Sequence, residues 1–192
     1  ELNTKFQTAV KNVFKIKPLF LSAKINTGVK IRMPNLNEIG ADRIANAAGA
    51  YVLYRHPVIV IDFGTATSFD IVNGKGEFIG GVIAPGINLQ LKSLNKFTSK
   101  LPRIEAAQSP CAIGNNTVDA ILSGVIRGCA CMIEGLVAQC EEELGEHAVV
   151  VATGGYASSI AEYMKRPFDY INPTLTLEGL RHLYNINQLA VV

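Results

Sequence analysis

The chain has 192 residues, 48% of them hydrophobic, and a formal net charge of +2. That is enough apolar material for a sizeable core, in one large domain or two smaller ones. The small charge and scattered basic residues argue against a nucleic-acid surface, and no unbroken apolar run reaches the roughly 18 residues of a membrane span.

In chain order, Glu1–Lys15 carries Phe6, Val10, Val13 and Phe14 at helical spacing, with Lys11, Lys15 and Lys17 on the wet side, and Pro18 ends the segment. Pro18–Ala23 is a candidate buried strand, and Gly28–Met33 is an extended piece closed by Pro34. The Ala-rich stretch Ile39–Leu53 predicts a helix. Val58–Ile61 then predicts a strand ending at Asp62. Two more strands follow, Thr67–Val72 and Glu77–Ile83, joined by the hairpin signal Asn73-Gly74-Lys75-Gly76.

Beyond the hairpins, Leu89–Phe97 predicts a helix, and Leu101–Ser109 is irregular. Thr117–Leu144 predicts a long helix with Ile121, Val125, Met132, Leu136 and Cys140 along one side, stopped by Gly145. Ala148–Ala152 predicts a strand, Tyr156–Met164 a helix, Phe168–Ile171 a strand and Leu175–Asn185 a last, packing helix. Three antiparallel strands leading into alternating helices and strands describe a mixed α/β fold of the RNase H-like kind. The expected division is a remnant of an incomplete N-terminal lobe in 1–57 and a C-terminal RNase H-like lobe in 58–192.

The four cysteines, Cys111, Cys129, Cys131 and Cys140, form no CxxC pair, so reduced, mostly buried thiols of a cytoplasmic protein are expected. His56, His147 and His182 lack metal-ligand spacing and read as surface or loop residues. Neither GxGxxG nor GxxxxGK[ST] occurs, and no G-x-S-x-G elbow surrounds a serine.

Asp62, at a strand end, is followed at once by Gly64, Thr65 and Thr67. Such a turn suits phosphate and its counter-cation: glycine admits close approach, hydroxyls and N–H groups bind oxygen, and the carboxylate holds a cation. Gly40-Ala41-Asp42-Arg43 sets a carboxylate and a guanidinium at a helix start. There Asp42 either stabilises the helix dipole, with Arg43 in a surface pair, or accepts a proton from a substrate hydroxyl while Arg43 holds an anionic group. Ile113–Thr117 is equally consistent with an N-cap and with a polar binding loop. Thr153-Gly154-Gly155, between a strand and a helix, is a usual place for a nucleotide.

Taken in order, GADR (40–43), DFGTATSFD (62–70), GGVIAPG (80–86), IGNNT (113–117), SGV (123–125), ATGGYA (152–157) and NPTLTLEGL (172–180) resemble the type III pantothenate kinases of the sugar kinase/Hsp70/actin superfamily. The resemblance implies transfer of the γ-phosphoryl group of ATP to the primary hydroxyl of pantothenate, the first step of coenzyme A synthesis. It implies Asp42 as general base, Gly40, Ala41, Arg43 and Thr117 on pantothenate, and Gly64 and Thr65 on the ATP phosphates. Thr153, Gly154 and Gly155 fall near adenosine, and Asp62 on a monovalent cation, potassium or ammonium. ATP with magnesium and a homodimer are implied too. The family's opening Asp-x-Gly-Asn-Thr turn has no counterpart before Glu1, a gap of roughly 65 to 70 residues, or about three strands and their turns. A molecule beginning at Glu1 is therefore expected to be inactive alone. Two alternatives from the same reading are a non-catalytic Bvg accessory factor-like regulator and a kinase of another small hydroxyl substrate.

Overall fold

The computed structural model describes residues 2–54 and 57–188, with side chains from Thr4 onward. His56 lies outside them. Six strands, β1 (Lys30–Ile31), β2 (Val58–Phe63), β3 (Ala66–Val72), β4 (Glu77–Pro85), β5 (Val149–Gly154) and β6 (Tyr170–Ile171), form one sheet. Their order is β1-β4-β3-β2-β5-β6. β2, β3 and β4 form an antiparallel meander, while β5 runs parallel to β2, β6 to β5, and β1 to β4. The hairpin between β3 and β4 forms as its residues predict: Asn73 Oδ1 accepts from the N–H groups of Lys75 and Glu77, and Gly76 takes the left-handed φ of 72°.

Helices cover both faces, as the unbroken apolar run of β2 requires. The helices are α1 (Leu2–Phe14), which adds no described residue to either core, α2 (Ala41–Tyr54), α3 (Ile87–Lys96), α4 (Thr117–Leu122), α5 (Gly128–Leu144), α6 (Ala157–Ala161) and α7 (Leu175–Gln188). Alternation along β2 splits the interior in two. Ile59, Ile61 and Phe63 join a core with residues of α3, α5 and α6, whereas Val58 and Val60 join one with α2 and α7. The mixed sheet with its antiparallel meander, clothed on both sides, is the expected RNase H-like (actin-like ATPase) arrangement.

α2 and α7 cross at a pair of glycines. A Cβ on Gly49 would lie 3.0 Å from Gly179 Cα, and one on Gly179 would lie 2.0 Å from the Ala45 carbonyl oxygen. Only backbone fits between these helices, which brings α7 side chains within reach of polar groups on α2.

Several expectations need correction. Pro18–Ala23 is not a strand: the segment joins no ladder, and Leu19 and Phe20 are exposed. Its Leu21 and Ala23 pack against the core under α2, but from a connection and not from a paired strand. α1 forms, yet Phe6, Val13 and Phe14 are exposed. α6 ends at Ala161 rather than Met164, and β6 keeps only Tyr170 and Ile171. Of the cysteines, only Cys129 is buried. His147 is on the surface as expected, 94% exposed, while His182 is half-buried on α7.

The long helix carries a π-helical turn at Ser123–Arg127, between α4 and α5. Ile121 and Val125 are buried as predicted, but the stripe continues through Cys129, Ile133 and Val137, leaving Met132, Leu136 and Cys140 half-buried. The wider turn adds a residue, so every later position on the inner face shifts by one. Over 18 residues the same helix, with a mean hydropathy of 1.7, is by length and composition long and apolar enough to cross a membrane, although its apolar run is interrupted by polar residues. Its apolar stripe packs against the sheet instead.

Candidate active site

The parallel register of β2 and β5 sets Asp62 beside Thr153 and Phe63 beside Gly154, at the carboxyl ends of both strands. In α/β sheets this edge is where ligands are held. Gly154 takes φ 86°, and a Cβ there would meet the Phe63 carbonyl oxygen at 2.7 Å and Asp62 Oδ1 at 2.8 Å. Glycine is thus required for the two strand ends to close around the Asp62 carboxylate. Gly64 and Thr65 form the exposed turn after β2, closed by the Gly86 N–H donating to Thr65 O at 3.2 Å.

Asp62 is fixed from below by a residue the sequence reading passed over. Asn46, fully buried on α2, donates its amide to Asp62 Oδ2 at 2.9 Å and accepts from Thr176 Oγ1 at 2.7 Å. Asp62 Oδ1 accepts no hydrogen bond among the described residues and lies by the Gly64 and Gly154 turns. A lone polar residue in the apolar run Ile44–Ala50 was the signal that could have found Asn46.

Asp42 occupies the first turn of α2, exposed, its Oδ1 accepting from the Arg43 backbone N–H at 2.8 Å. It pairs with no basic side chain among the described residues, so the carboxylate is open to a substrate. Arg43 does not sit in a surface pair. Its Nε donates to Asp70 Oδ1 at 2.5 Å, and the Asp70 side chain is fully buried. Burial pushes the Asp70 carboxyl up to about 7, against the opposing pull of Arg43, with Asp42 and Asp62 adding repulsion. Gly40, Ala41, Asp42, Arg43 and Asp62 therefore gather around one electrostatic cluster.

Thr117 stands elsewhere. It is the first residue of α4, after Asn116, whose Oδ1 caps the helix by accepting from Asp119 N–H at 3.0 Å. Thr117 lines a groove of about 600 Å³ between α3 and the π-helical turn, which shares no lining residue with the Asp42–Asp62 cluster. A second cavity, of about 630 Å³, opens beside the Thr153-Gly154-Gly155 turn. Tyr156 forms one wall, its hydroxyl donating to Asn88 Oδ1 at 3.0 Å, and Lys92, Lys96 and Arg103 bring positive charge. Sequence reading missed these residues because they come from α3 and the irregular loop after it.

The family model described as type III pantothenate kinase matches residues 1–139. The chain belongs to the type III pantothenate kinase family. A type III pantothenate kinase of Dehalococcoides mccartyi (strain CBDB1) is 52% identical over 188 residues, 98% of this chain and 71% of the relative. That of Myxococcus xanthus (strain DK1622) is 43% identical over 189 residues, 98% and 73% of the two chains. A solved structure from Campylobacter jejuni, described as a conserved Baf family transcriptional activator, superposes with a TM-score of 0.66 over 96% of this chain and 79% of that one. At 22% identity it shares the fold. Family membership makes this chain a kinase.

Proposed function

We propose that Asp42 is the general base of ATP-dependent pantothenate phosphorylation, the first step of coenzyme A synthesis. Pantothenate phosphorylation is the activity of the family to which the chain belongs. In this reading the primary hydroxyl of pantothenate gives its proton to Asp42 as its oxygen attacks the γ-phosphorus of ATP. Gly40, Ala41 and Arg43 hold the rest of the acceptor. Gly64 and Thr65 meet the phosphates, and Thr153, Gly154 and Gly155 border the adenosine, with the cavity at Tyr156, Lys92, Lys96 and Arg103 as its extension. Phosphoryl transfer asks mainly for alignment and charge neutralisation, with a base near the acceptor oxygen. The observation that carries the reading is the gathering of an exposed Asp42, a tethered Arg43 and the half-open Asp62 carboxylate at one sheet edge.

No cluster of three or more metal-ligating side chains occurs among the described residues. A single carboxylate with nearby carbonyl oxygens fits a hard, weakly charged cation, so Asp62 Oδ1 is proposed to hold potassium or ammonium. Magnesium is proposed to arrive on the ATP phosphates, and when bound these cations offset phosphate charge. We also propose a homodimer that takes in the groove at Thr117, and a C-terminal lobe over 58–192 with residues 1–57 belonging to the N-terminal one. A panel of small hydroxyl substrates assayed with ATP, with and without potassium, tests the reading. Potassium-stimulated turnover led by pantothenate is expected; another preferred acceptor, or none, overturns it.

A further inference from the structure

The roles above leave one buried carboxylate unused, directly beneath the arginine assigned to the substrate. Asp70 stands mid-strand in β3, opposite Val60 on one side and Gly81 on the other. Cross-strand partners project to the same face, and Val60 belongs to the core under α2, so Asp70 points at α2. There Arg43 is held on three sides. Its Nε donates to Asp70 Oδ1, its Nη2 donates to Phe69 O at 3.3 Å, and its guanidinium carbon lies 5.6 Å from the Phe78 ring centre. Room for the fork comes from the second glycine of GGVIAPG, since a Cβ on Gly81 would fall 2.5 Å from Nη2.

A guanidinium has five N–H donors. Two are spent on Asp70 and Phe69, and the rest have no protein acceptor among the described residues. Asp70 Oδ2 is itself buried without a partner. A buried ion pair with an unsatisfied oxygen is a poor source of stability compared with apolar packing, which points to a role in placement. Asp42 and Asp62 are near enough to repel the charge on Asp70, so an untethered Arg43 has two competing carboxylates beside it. Collapse onto Asp42 would occupy the proposed base.

We propose that Asp70 is a positioning residue: it tethers Arg43 so that the free N–H donors meet the carboxylate of the acceptor and stay off Asp42 and Asp62. This rests on the reading that Arg43 binds pantothenate. The near-isosteric Asp70→Asn variant is assayed at pH 8, where the wild-type Asp70 is ionised, for both substrates and with pantothenol, in which an alcohol replaces the carboxylate. The KM for pantothenate rises about 10-fold or more, KM for ATP stays near wild type, and the preference for pantothenate over pantothenol shrinks in proportion. In an Arg43→Ala background the same substitution adds nothing. An unchanged KM for pantothenate in Asp70→Asn, or an effect repeated in full without Arg43, overturns the role. If Arg43→Ala alone leaves that KM unchanged, the underlying reading fails instead. Should Asp70→Asn not fold, the Arg43 Nε–H signal in the NMR spectrum of the unliganded wild type decides: a rigid, slowly exchanging proton supports the tether, a mobile one refutes it.

Discussion

Asn46 Nδ2 donates to Asp62 Oδ2 at 2.9 Å from a fully buried position on α2, joining the helix whose first turn carries Asp42 to the end of the strand that carries Asp62. Thr176 of α7 closes the chain by donating to Asn46 Oδ1 at 2.7 Å. Asn46→Ala strands both the carboxylate oxygen and the Thr176 hydroxyl. We expect a loss of about 1–3 kcal/mol in unfolding free energy, the usual cost of orphaned buried polar groups. Because Asp62 loses its orientation, the concentration of potassium giving half-maximal activity should rise as well. Denaturant unfolding and a potassium titration check the two parts.

Glu141 ties the end of α5 to two later loops. It accepts from Arg166 Nη1 at 2.6 Å and Nη2 at 3.0 Å, and from the Ala148 backbone N–H at 3.0 Å. The Arg166 hydrogen bonds hold its carboxyl down at about 2. A folded pKa below the unfolded one gives stability that is present above the unfolded value of 4.5 and lost as pH falls toward about 2. Glu141→Gln should therefore melt lower than wild type at pH 7, and the gap should close on acidification. Thermal melts at pH 7, 5 and 3 test this.

Asp70 has the opposite sign. Its folded pKa, about 7, lies above the 3.8 of an ordinary aspartate, so the folded state holds a proton across that window that the unfolded chain has released. Its contribution to stability falls as pH rises from about 4 to 7. Asp70→Asn removes that component, and its melting temperature should vary less between pH 5 and 8 than that of the wild type.

Gly179 offers a test of the helix crossing. In an ordinary helix interior, Gly→Ala stabilises by about 0.5–1 kcal/mol. Here the new Cβ would lie 2.0 Å from Ala45 O, and that oxygen belongs to backbone that cannot swing aside. Gly179→Ala should destabilise instead, by about 1–3 kcal/mol as expected of overpacking. Equilibrium unfolding reads the sign directly.

The meander, its turn residues and the motifs at Asp42, Asp62 and Thr153 were legible because each depends on local chemistry: alternation, a glycine turn, an acidic first turn. What escaped depends on non-local geometry. Nothing in the composition of Ser123–Arg127 announces a π turn, so the buried stripe of the long helix was placed one residue early beyond Val125. Arg43 was read as surface or substrate-facing because Asp70 is distant in sequence and meets it only after β3 packs under α2. The apolar residues of Pro18–Ala23 suggested a strand, but propensity alone does not place a segment in a ladder.

The central claim is that Asp42 takes the proton of the acceptor hydroxyl. Its carboxylate is exposed and, among the described residues, bonded only to its neighbour's N–H, so Asp42→Asn should leave the fold and the melting temperature nearly unchanged. The decisive measurement is the kcat of that variant for pantothenate at saturating ATP and potassium. A fall of about 100-fold or more, with KM for ATP retained, is the predicted result; a kcat close to wild type would contradict it.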